Sequence, residues 1–397
     1  MDPRENPYTP NAGARPPLFV GRDEQLDSFD VLLSRLERGR TERSMILTGL
    51  RGVGKTVLLG RFEDHAAQRD WATVDTEITR DMPFGRRMVA LARQALLQLS
   101  PKSKWKDRAT RAAGVLRSFE LTVDSTGALS AGLNTERVEG KADTGDLGPD
   151  LTDLFLALGE AAADHGTGVV FLVDEIQFLA VAEFEALIAA LHKTVQRSLP
   201  ITLVGAGLPQ IPRLAGEAKS YAERLFTFPE LGRLDEQSAG QAIAGPAHHL
   251  GVDFHPDALR LVVAETEGYP FFLQEFGRVL WNHTPASPIT AADVHAAQPA
   301  VEHELDASFF RVRAGRTTDL ELRYLRAMAE LGPGSHRASA VAQVLDRTAD
   351  QLGQIRTRLI DKGLLYAPSY GLAAFTVPQF DRYMRRTHPL PPVARPT

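Results

Sequence analysis

A glycine-rich segment early in the chain carries the residue types that bind phosphate groups. It reads Gly49-Leu-Arg-Gly-Val-Gly-Lys55-Thr56 and fits the pattern G-x-x-x-x-G-K-[ST] in full. Glycines let backbone amides point at a phosphate, and a helix that begins here turns the positive end of its dipole toward the same anion. We therefore expect a nucleotide-binding loop in which Lys55 contacts the β- and γ-phosphates and the Thr56 hydroxyl binds Mg²⁺. The residues expected to contact the nucleotide in this segment are Gly49, Gly52, Val53, Gly54, Lys55, Thr56 and Val57.

A pair of carboxylates follows the longest apolar run of the chain, Val169-Val-Phe-Leu-Val-Asp174-Glu175. A carboxylate that ends a buried strand beside a phosphate-binding loop can hold Mg²⁺ through water, and we assign this role to Asp174. We assign to Glu175 the polarisation of the water that attacks the γ-phosphate. The alternative is that the acidic pair caps a helix, since Asp is common at N-caps.

Composition excludes several other chemistries. The chain has 397 residues and no cysteine, so disulfide scaffolds, thiolate nucleophiles, zinc ribbons and iron–sulfur clusters are ruled out. The longest apolar run is far shorter than the roughly 20 residues of a membrane-spanning helix. The N-terminus lacks the apolar stretch of a signal peptide, so we expect a cytoplasmic protein that does not bind membranes.

The phosphate-binding and acidic residues need a framework that brings two strand ends together. Short apolar runs predict strands at 44–48, 71–76, 169–173 and 201–204. Helical spacing predicts helices at 56–68, 85–99, 151–165 and 183–196. This alternation indicates an α/β fold, a P-loop NTPase parallel sheet with helices on both faces.

Further along, the pattern changes and suggests additional units. We expect an insertion at about 101–150, with a hairpin over 118–133 and a flexible polar loop over 140–149. Four helical patterns then predict a helical lid, and three helices followed by a hairpin predict a C-terminal winged helix-turn-helix. The expected division is a flexible tail at 1–17, a P-loop core at 18–231, a lid at 232–300 and a winged helix at 318–390.

Charge is distributed unevenly. The net charge of −5 disfavours broad nucleic-acid binding, but residues 318–397 hold 11 basic and 7 acidic residues. Four cations lie on or beside the expected recognition helix, and an aromatic residue lies in the wing: Arg347, Arg356, Arg358, Lys362 and Tyr370. Because residues two apart on a helix project about 200° apart, Arg356 and Arg358 cannot both face one groove. Double-stranded DNA is one expected partner, and a protein-docking role for the winged helix is the alternative.

Together these motifs resemble AAA+-type P-loop ATPases, in the group of replication-initiator (origin-recognition-like), archaeal-type and STAND NTPases. The resemblance covers about residues 18–390. Phe19-Val20-Gly21 resembles the family's entry box, which implies that Phe19 and Val20 hold the adenine. Gly268-Tyr-Pro270 resembles the GxP motif, which implies that Pro270 packs on the nucleotide.

The resemblance has further implications for catalysis. The strand at 201–204 resembles the sensor strand, which in the family lies between the strands of the two motifs, but no Asn, Ser or Thr stands at its tip. Arg224 lies where many AAA+ proteins carry an arginine finger that acts on a neighbouring subunit, and a surface arginine is the alternative. The expected catalytic residues are therefore Glu175, Lys55 and Arg224, with Thr56 and Asp174 as metal ligands.

From these observations we expect an ATP-binding, Mg²⁺-dependent ATPase that couples its nucleotide state to DNA or partner binding through the winged helix. A homo-oligomer would be needed for Arg224 to act. The alternative is a nucleotide-locked switch of the STAND kind, with negligible turnover and a protein partner.

Overall fold

The computed structural model describes residues 1–79, 81–99, 107–123 and 136–389. Its centre is a five-stranded parallel sheet with the strand order β2-β3-β4-β1-β5. The strands are β1 (Ser44–Thr48), β2 (Ala72–Glu77), β3 (Val169–Asp174), β4 (Ile201–Gly207) and β5 (Phe226–Thr227). The P-loop NTPase sheet is therefore confirmed, and β4 lies between β1 and β3 as the family resemblance implies.

Helices cover both faces of this sheet because alternate strand residues point to opposite sides. On one face, Met45 and Leu47 of β1 pack with α1 (Asp23–Glu37) and α2 (Lys55–Ala67). On the other face, Ile46 packs with a larger group of helices. These are α3 (Phe84–Leu99), α4 (Asp107–Val123), α5 (Leu147–Asp164), α6 (Val181–Gln196), α7 (Ile211–Ala218) and α8 (Ala222–Leu225).

The hairpin expected over 118–133 is wrong in its first half. Residues 118–123 are the last turns of α4, and the second expected strand, 128–133, lies outside the described residues. Ala112, Leu116 and Phe119 recur at helical spacing and are fully buried. Packing of that face against α3 and α5 therefore outweighs the local strand propensity. In the loop that follows, the buried Asp150 carboxylate accepts hydrogen bonds from the backbone amides of Thr144 and Gly145.

A second core holds the lid and the C-terminal region. The lid helices are α9 (Glu236–His248), α10 (Pro256–Thr266), α11 (Pro270–His283) and α12 (Ala291–Glu304). A π-helix over Leu305–Phe310 and the short α13 (Arg311–Ala314) lead out of the lid.

Residues 1–17 lie along the lid, although we expected a loosely ordered tail. Tyr8 is 3% exposed, and its hydroxyl donates to the carbonyl oxygen of Ile243. Its ring lies over Gly277, where an added Cβ would come within 2.4 Å of the ring. The indole of Trp281 donates to the Asp2 carbonyl oxygen at 2.8 Å. The segment is held by contacts to residues more than 230 positions away in the chain. The local sequence of residues 1–17 does not predict these contacts.

The C-terminal region contains the three expected helices and the expected hairpin. The helices are α14 (Asp319–Glu330), α15 (Ala338–Val344) and α16 (Ala349–Asp361), and the strands are β6 (Ser335–Arg337), β7 (Leu365–Tyr366) and β8 (Leu372–Phe375). The strands form an antiparallel sheet with the order β6-β8-β7. A final helix, α17 (Phe380–Thr387), was not expected; half of its residues are charged, but it buries Phe380, Tyr383 and Met384. We call residues 319–387 the C-terminal module. In the described part of the chain, no helix is both long and apolar enough to cross a membrane.

Candidate functional site

The phosphate-binding segment and the acidic pair meet at the carboxyl edge of the sheet. The loop follows β1 and ends where α2 begins, with Gly52 and Gly54 in the left-handed region at φ 83° and 91°. A side chain would strain both positions, which accounts for glycine there. The Thr56 hydroxyl donates to Asp174 Oδ2 at 2.6 Å, so the two residues expected to bind the metal are in contact. A hydroxyl and a carboxylate form the hard-oxygen donor set that suits Mg²⁺.

Lys55 is buried beneath the loop with 7% of its surface exposed. Its ammonium donates to the carbonyl oxygens of Gly49 at 2.9 Å and Leu50 at 2.8 Å. Burial lowers its pKa to about 8, although the negative charges of Glu175 and Asp174 oppose this shift. The attraction between a buried ammonium group and a phosphate is strong, because little water is present to screen the two charges.

Glu175 has a backbone conformation that, among the described residues of the cleft, only glycines share. It follows β3 in the left-handed region at φ 52°, which is unusual for a residue with a side chain. Its backbone amide donates to Asp174 Oδ1 at 2.8 Å. Its carboxylate accepts from Arg51 Nη2 at 3.3 Å and from the Gln177 side-chain amide. Two neighbours therefore orient the carboxylate and a third binds the backbone amide, and the acidic pair does not act as a simple helix cap.

A cleft of about 960 Å³ lies over the loop. It is lined by most of the residues predicted to contact nucleotide or metal: Phe19, Val20, Gly52, Val53, Gly54, Lys55, Thr56, Val57, Asp174, Glu175 and Pro270. Gly49 does not line the cleft. Its amide donates to the Gly207 carbonyl oxygen at 3.1 Å, and an added Cβ would come within 2.3 Å of the Leu231 carbonyl oxygen. Glycine at position 49 therefore allows the backbone at Leu231 to pass close to the start of the loop.

Arg224 also lies outside the cleft. It is on the four-residue helix α8 and is exposed to solvent. Its side chain therefore does not reach the site of its own chain, which leaves both of its expected roles open.

Several arginines line the cleft in addition to the predicted site residues; of these, Arg22 belongs to the segment that resembles the entry box, and Arg278 is a weak candidate for the family's sensor arginine. Arg22 donates to the carbonyl oxygens of Val53 at 3.2 Å and Gly232 at 2.7 Å. Arg278 forms ion pairs with Glu275 and Glu304. Arg313 enters the cleft from α13. These side chains come from the entry segment, the lid and the linker that follows it, and only tertiary structure brings them together.

The C-terminal module contacts the phosphate-binding loop directly. The backbone amide of Arg51 donates to the Thr376 carbonyl oxygen at 2.9 Å. The module also contacts the lid, because Arg382 pairs with Glu267 at 2.8 Å. The loop, the lid and the module are therefore in mutual contact around one cleft.

The cations expected to face DNA have two different environments. Arg356 donates to the Leu372 carbonyl oxygen at 2.6 Å, and Lys362 pairs with the buried Glu321 at 2.6 Å. Arg347 and Arg358 are exposed. The wing residue Tyr370 is also fully exposed.

Comparison with protein families yields two matches. Residues 18–204 match the AAA ATPase domain, and residues 307–384 match a domain of unknown function (DUF8462). A search of curated proteins finds no match.

Solved structures resemble the whole chain. The Walker-type ATPase PABY2304 of Pyrococcus abyssi is 14% identical with a TM-score of 0.56, and the alignment covers 94% of this chain and 97% of that one. The Thermotoga maritima RuvB Holliday junction branch migration motor is 16% identical, with a TM-score of 0.46 and coverages of 92% and 95%. The Aeropyrum pernix Orc1 protein, solved in complex with DNA, is 14% identical, with a TM-score of 0.45 and coverages of 94%.

The family match spans the phosphate-binding loop and the acidic pair and ends within β4, the strand between them in the sheet. The fold is that of the archaeal Walker-type ATPase. Residues 18–204 are therefore an AAA ATPase domain, and the chain has a P-loop NTPase fold.

Proposed function

We propose that the chain binds ATP with Mg²⁺ in the cleft, hydrolyses it, and couples its nucleotide state to the position of the C-terminal module. The observation that carries this proposal is the contact between Thr56 and Asp174 beside the buried Lys55. Lys55 binds the β- and γ-phosphates, and Thr56 and Asp174 hold the metal. Bound Mg²⁺ supplies positive charge that offsets the charge of the phosphate oxygens.

Glu175 orients the attacking water and accepts its proton. Its carboxylate oxygen lies within 3.3 Å of Arg51 and is also held by Gln177, which fixes its direction. A general base must be within hydrogen-bond reach of the proton it takes, and this placement at the edge of the loop supports that role.

The adenine end of the cleft uses the entry segment and the lid. Phe19, Val20 and Pro270 line it with apolar surface, which suits a flat aromatic base. Arg224 acts, in this proposal, on the nucleotide of a neighbouring copy in a homo-oligomer. Its exposure on α8 supports that role, because a residue that acts between subunits must project from the surface.

Coupling runs through the contact between Arg51 and Thr376. Arg51 reaches both partners: its amide binds the module and its guanidinium binds Glu175. A change at the γ-phosphate that moves Glu175 or Arg51 therefore alters the contact with the module. We propose that the module is a winged helix, since its elements run helix, strand, helix, helix, strand, strand, and that Arg347 and Arg358 face duplex DNA.

A second candidate function is the nucleotide-locked switch with negligible turnover and a protein partner. The ion pair between Arg51 and Glu175 favours it, because the carboxylate that would have to contact the attacking water is already engaged by a cation. Nucleotide that co-purifies with the chain and does not turn over would support this alternative. Turnover that rises when DNA is added would support the first.

Lys55→Ala tests the binding site itself. We expect ATP affinity measured by calorimetry to fall by about 100-fold or more, because the buried cation that faces the phosphates is removed. Lys193→Ala is the matched control, since Lys193 is exposed on α6 and bonds only to Gln196 among the described residues. An unchanged affinity in a folded Lys55→Ala variant would disprove the assignment of the loop.

A further inference from the structure

The linker between the lid and the C-terminal module brings a cation to the catalytic end of the cleft. After α12 the chain forms one π-helical segment, Leu305–Phe310, and then α13. A π-helical turn changes the direction in which the following side chains point, and such turns are frequent at functional sites. Arg313 of α13 lines the same cleft as Lys55 and Glu175, although it lies 258 and 138 residues later in the chain.

An aromatic stack holds Arg313 in register with the phosphate-binding loop. The backbone amide of Phe271 donates to the Gly52 carbonyl oxygen at 3.2 Å. The ring of Phe271 stacks on that of Phe309, with centroids 4.4 Å apart and an interplanar angle of 24°. The Arg313 guanidinium lies over the other ring of this pair, 4.1 Å from the Phe309 centroid, and donates to the Phe309 carbonyl oxygen. A continuous chain of contacts, from Gly52 through the rings of Phe271 and Phe309, therefore links the phosphate-binding loop to the guanidinium of Arg313.

The charge of Arg313 is not balanced in the same way as the charges of the other cleft arginines. Arg51 pairs with Glu175, and Arg278 pairs with Glu275 and Glu304. Among the described residues, no carboxylate lies within ion-pair distance of Arg313. Burial lowers its pKa to about 10, the nearby positive charges of Arg51 and Arg316 act in the same direction, and Glu175 opposes them.

A partly buried cation without a counter-ion is costly unless an anion joins it. Arg313 lines the same cleft as Lys55 and as Glu175, the residue proposed to orient water beyond the γ-phosphate, and Glu175 is near enough for its charge to act on Arg313. Arg313 is also six residues before Asp319, where α14 and the module begin, with no long loop in between.

We propose that Arg313 binds the γ-phosphate of a nucleoside triphosphate and thereby makes the linker to the C-terminal module sensitive to ATP against ADP. The inference rests on the proposed function, since it requires a nucleotide in the cleft. It adds a phosphate-binding residue from outside the AAA ATPase domain match, which ends at residue 204. Loss of the γ-phosphate would release Arg313 and with it the linker that leads into the module.

The test is equilibrium binding of a non-hydrolysable ATP analogue and of ADP to the full chain. Arg313→Ala is expected to weaken analogue binding by about 10-fold to 100-fold, the range for one hydrogen-bonded charge, and to leave ADP binding within about 2-fold. Arg313→Lys retains the charge and is expected to recover part of the loss. Arg311→Ala is the matched control, because Arg311 is exposed on the same short helix and lies outside the cleft.

Arg313→Met keeps an unbranched side chain over Phe309 and replaces Arg313→Ala if the latter unfolds. Equal weakening of both ligands, or no weakening of the analogue, in a variant with the parent's melting temperature would overturn the inference. If the parent binds neither ligand, the proposed function fails as well. If the parent binds both and Lys55→Ala abolishes both while Arg313→Ala changes neither, only the role of Arg313 is wrong.

Discussion

Glu175 combines a strained backbone with a carboxylate that is held from two sides. A non-glycine residue in the left-handed region carries a conformational cost of order 1 kcal/mol or more, and it persists only where surrounding contacts hold it. Here those contacts are Asp174 at the amide and Arg51 and Gln177 at the carboxylate. The direction of the carboxylate therefore depends on hydrogen bonds that an amide side chain can partly reproduce.

Glu175→Gln should consequently separate binding from turnover. We expect ATP affinity within about 3-fold of the parent and hydrolysis lower by about 100-fold to 10,000-fold, because the amide keeps the shape but cannot accept the proton. Calorimetry and a phosphate-release assay measure the two quantities. Glu217→Gln, on the exposed end of α7, serves as the control. Full turnover in Glu175→Gln would mean that another group activates the water.

At the scale of elements, the ion pair between Lys362 and Glu321 connects the end of α16 to α14. The sequence alone suggested only that Lys362 was a surface cation. Lys362, just after α16, lies 2.6 Å from Glu321, which is only 1% exposed. The second donor to this carboxylate is the Thr318 amide at 2.8 Å, which completes the cap of α14. Burial raises the pKa of Glu321, but the hydrogen bonds from Lys362 and Thr318 outweigh it, so the pKa lies below its usual value.

Lys362→Ala is therefore expected to destabilise the chain by about 1–3 kcal/mol, the cost of leaving a buried acceptor without its charged partner. Denaturant unfolding measures this change. Arg358→Ala is the matched control on the same helix; its side chain is exposed and should matter by less than about 0.5 kcal/mol. Because the folded pKa of Glu321 is depressed, its contribution to stability is present above its unfolded pKa and is lost as the pH falls through the folded one. Equal stability of both variants would contradict the anchoring role of Lys362.

For the molecule as a whole, the question is what the C-terminal module binds while it rests on the loop. Two of the four cations expected to face DNA are engaged in internal hydrogen bonds, at Arg356 and Lys362. Arg347 and Arg358 remain exposed, as does Tyr370 in the wing. A DNA surface made from these residues would make few phosphate contacts, so its affinity should be modest and should fall with salt by only about one slope unit for each contact.

A salt titration of duplex DNA binding by the full chain with ATP tests this surface. We expect affinity to fall as salt rises, and Arg358→Ala to weaken binding and reduce the slope by about 1, the effect of losing one phosphate contact. Arg40→Ala is the control: it removes an exposed arginine of the sheet domain, outside the C-terminal module, and should change neither the DNA affinity nor its salt slope. Absence of binding at about 50 mM salt would exclude DNA as the partner and favour a protein.

The sequence by itself determined the strand, loop and helix of the nucleotide site, the acidic pair and the parallel sheet. These features depend on residues that are neighbours in the chain: the glycines before Lys55, the apolar run before Asp174, and the alternation of strands with helices. Local spacing and local backbone preferences are enough to specify them. The same holds for the four helices of the lid and for the first three helices of the C-terminal module.

Only the tertiary structure decided which distant residues complete the site and how the parts of the chain meet. Arg313 lies in the cleft over the ring of Phe309, which stacks on Phe271, and Arg51 binds both Glu175 and Thr376. Residues 118–123 are helical because their apolar face is buried between helices, and residues 1–17 are held by the lid. In each case the stabilising contact joins segments that are far apart in sequence. Local composition and spacing therefore cannot predict it.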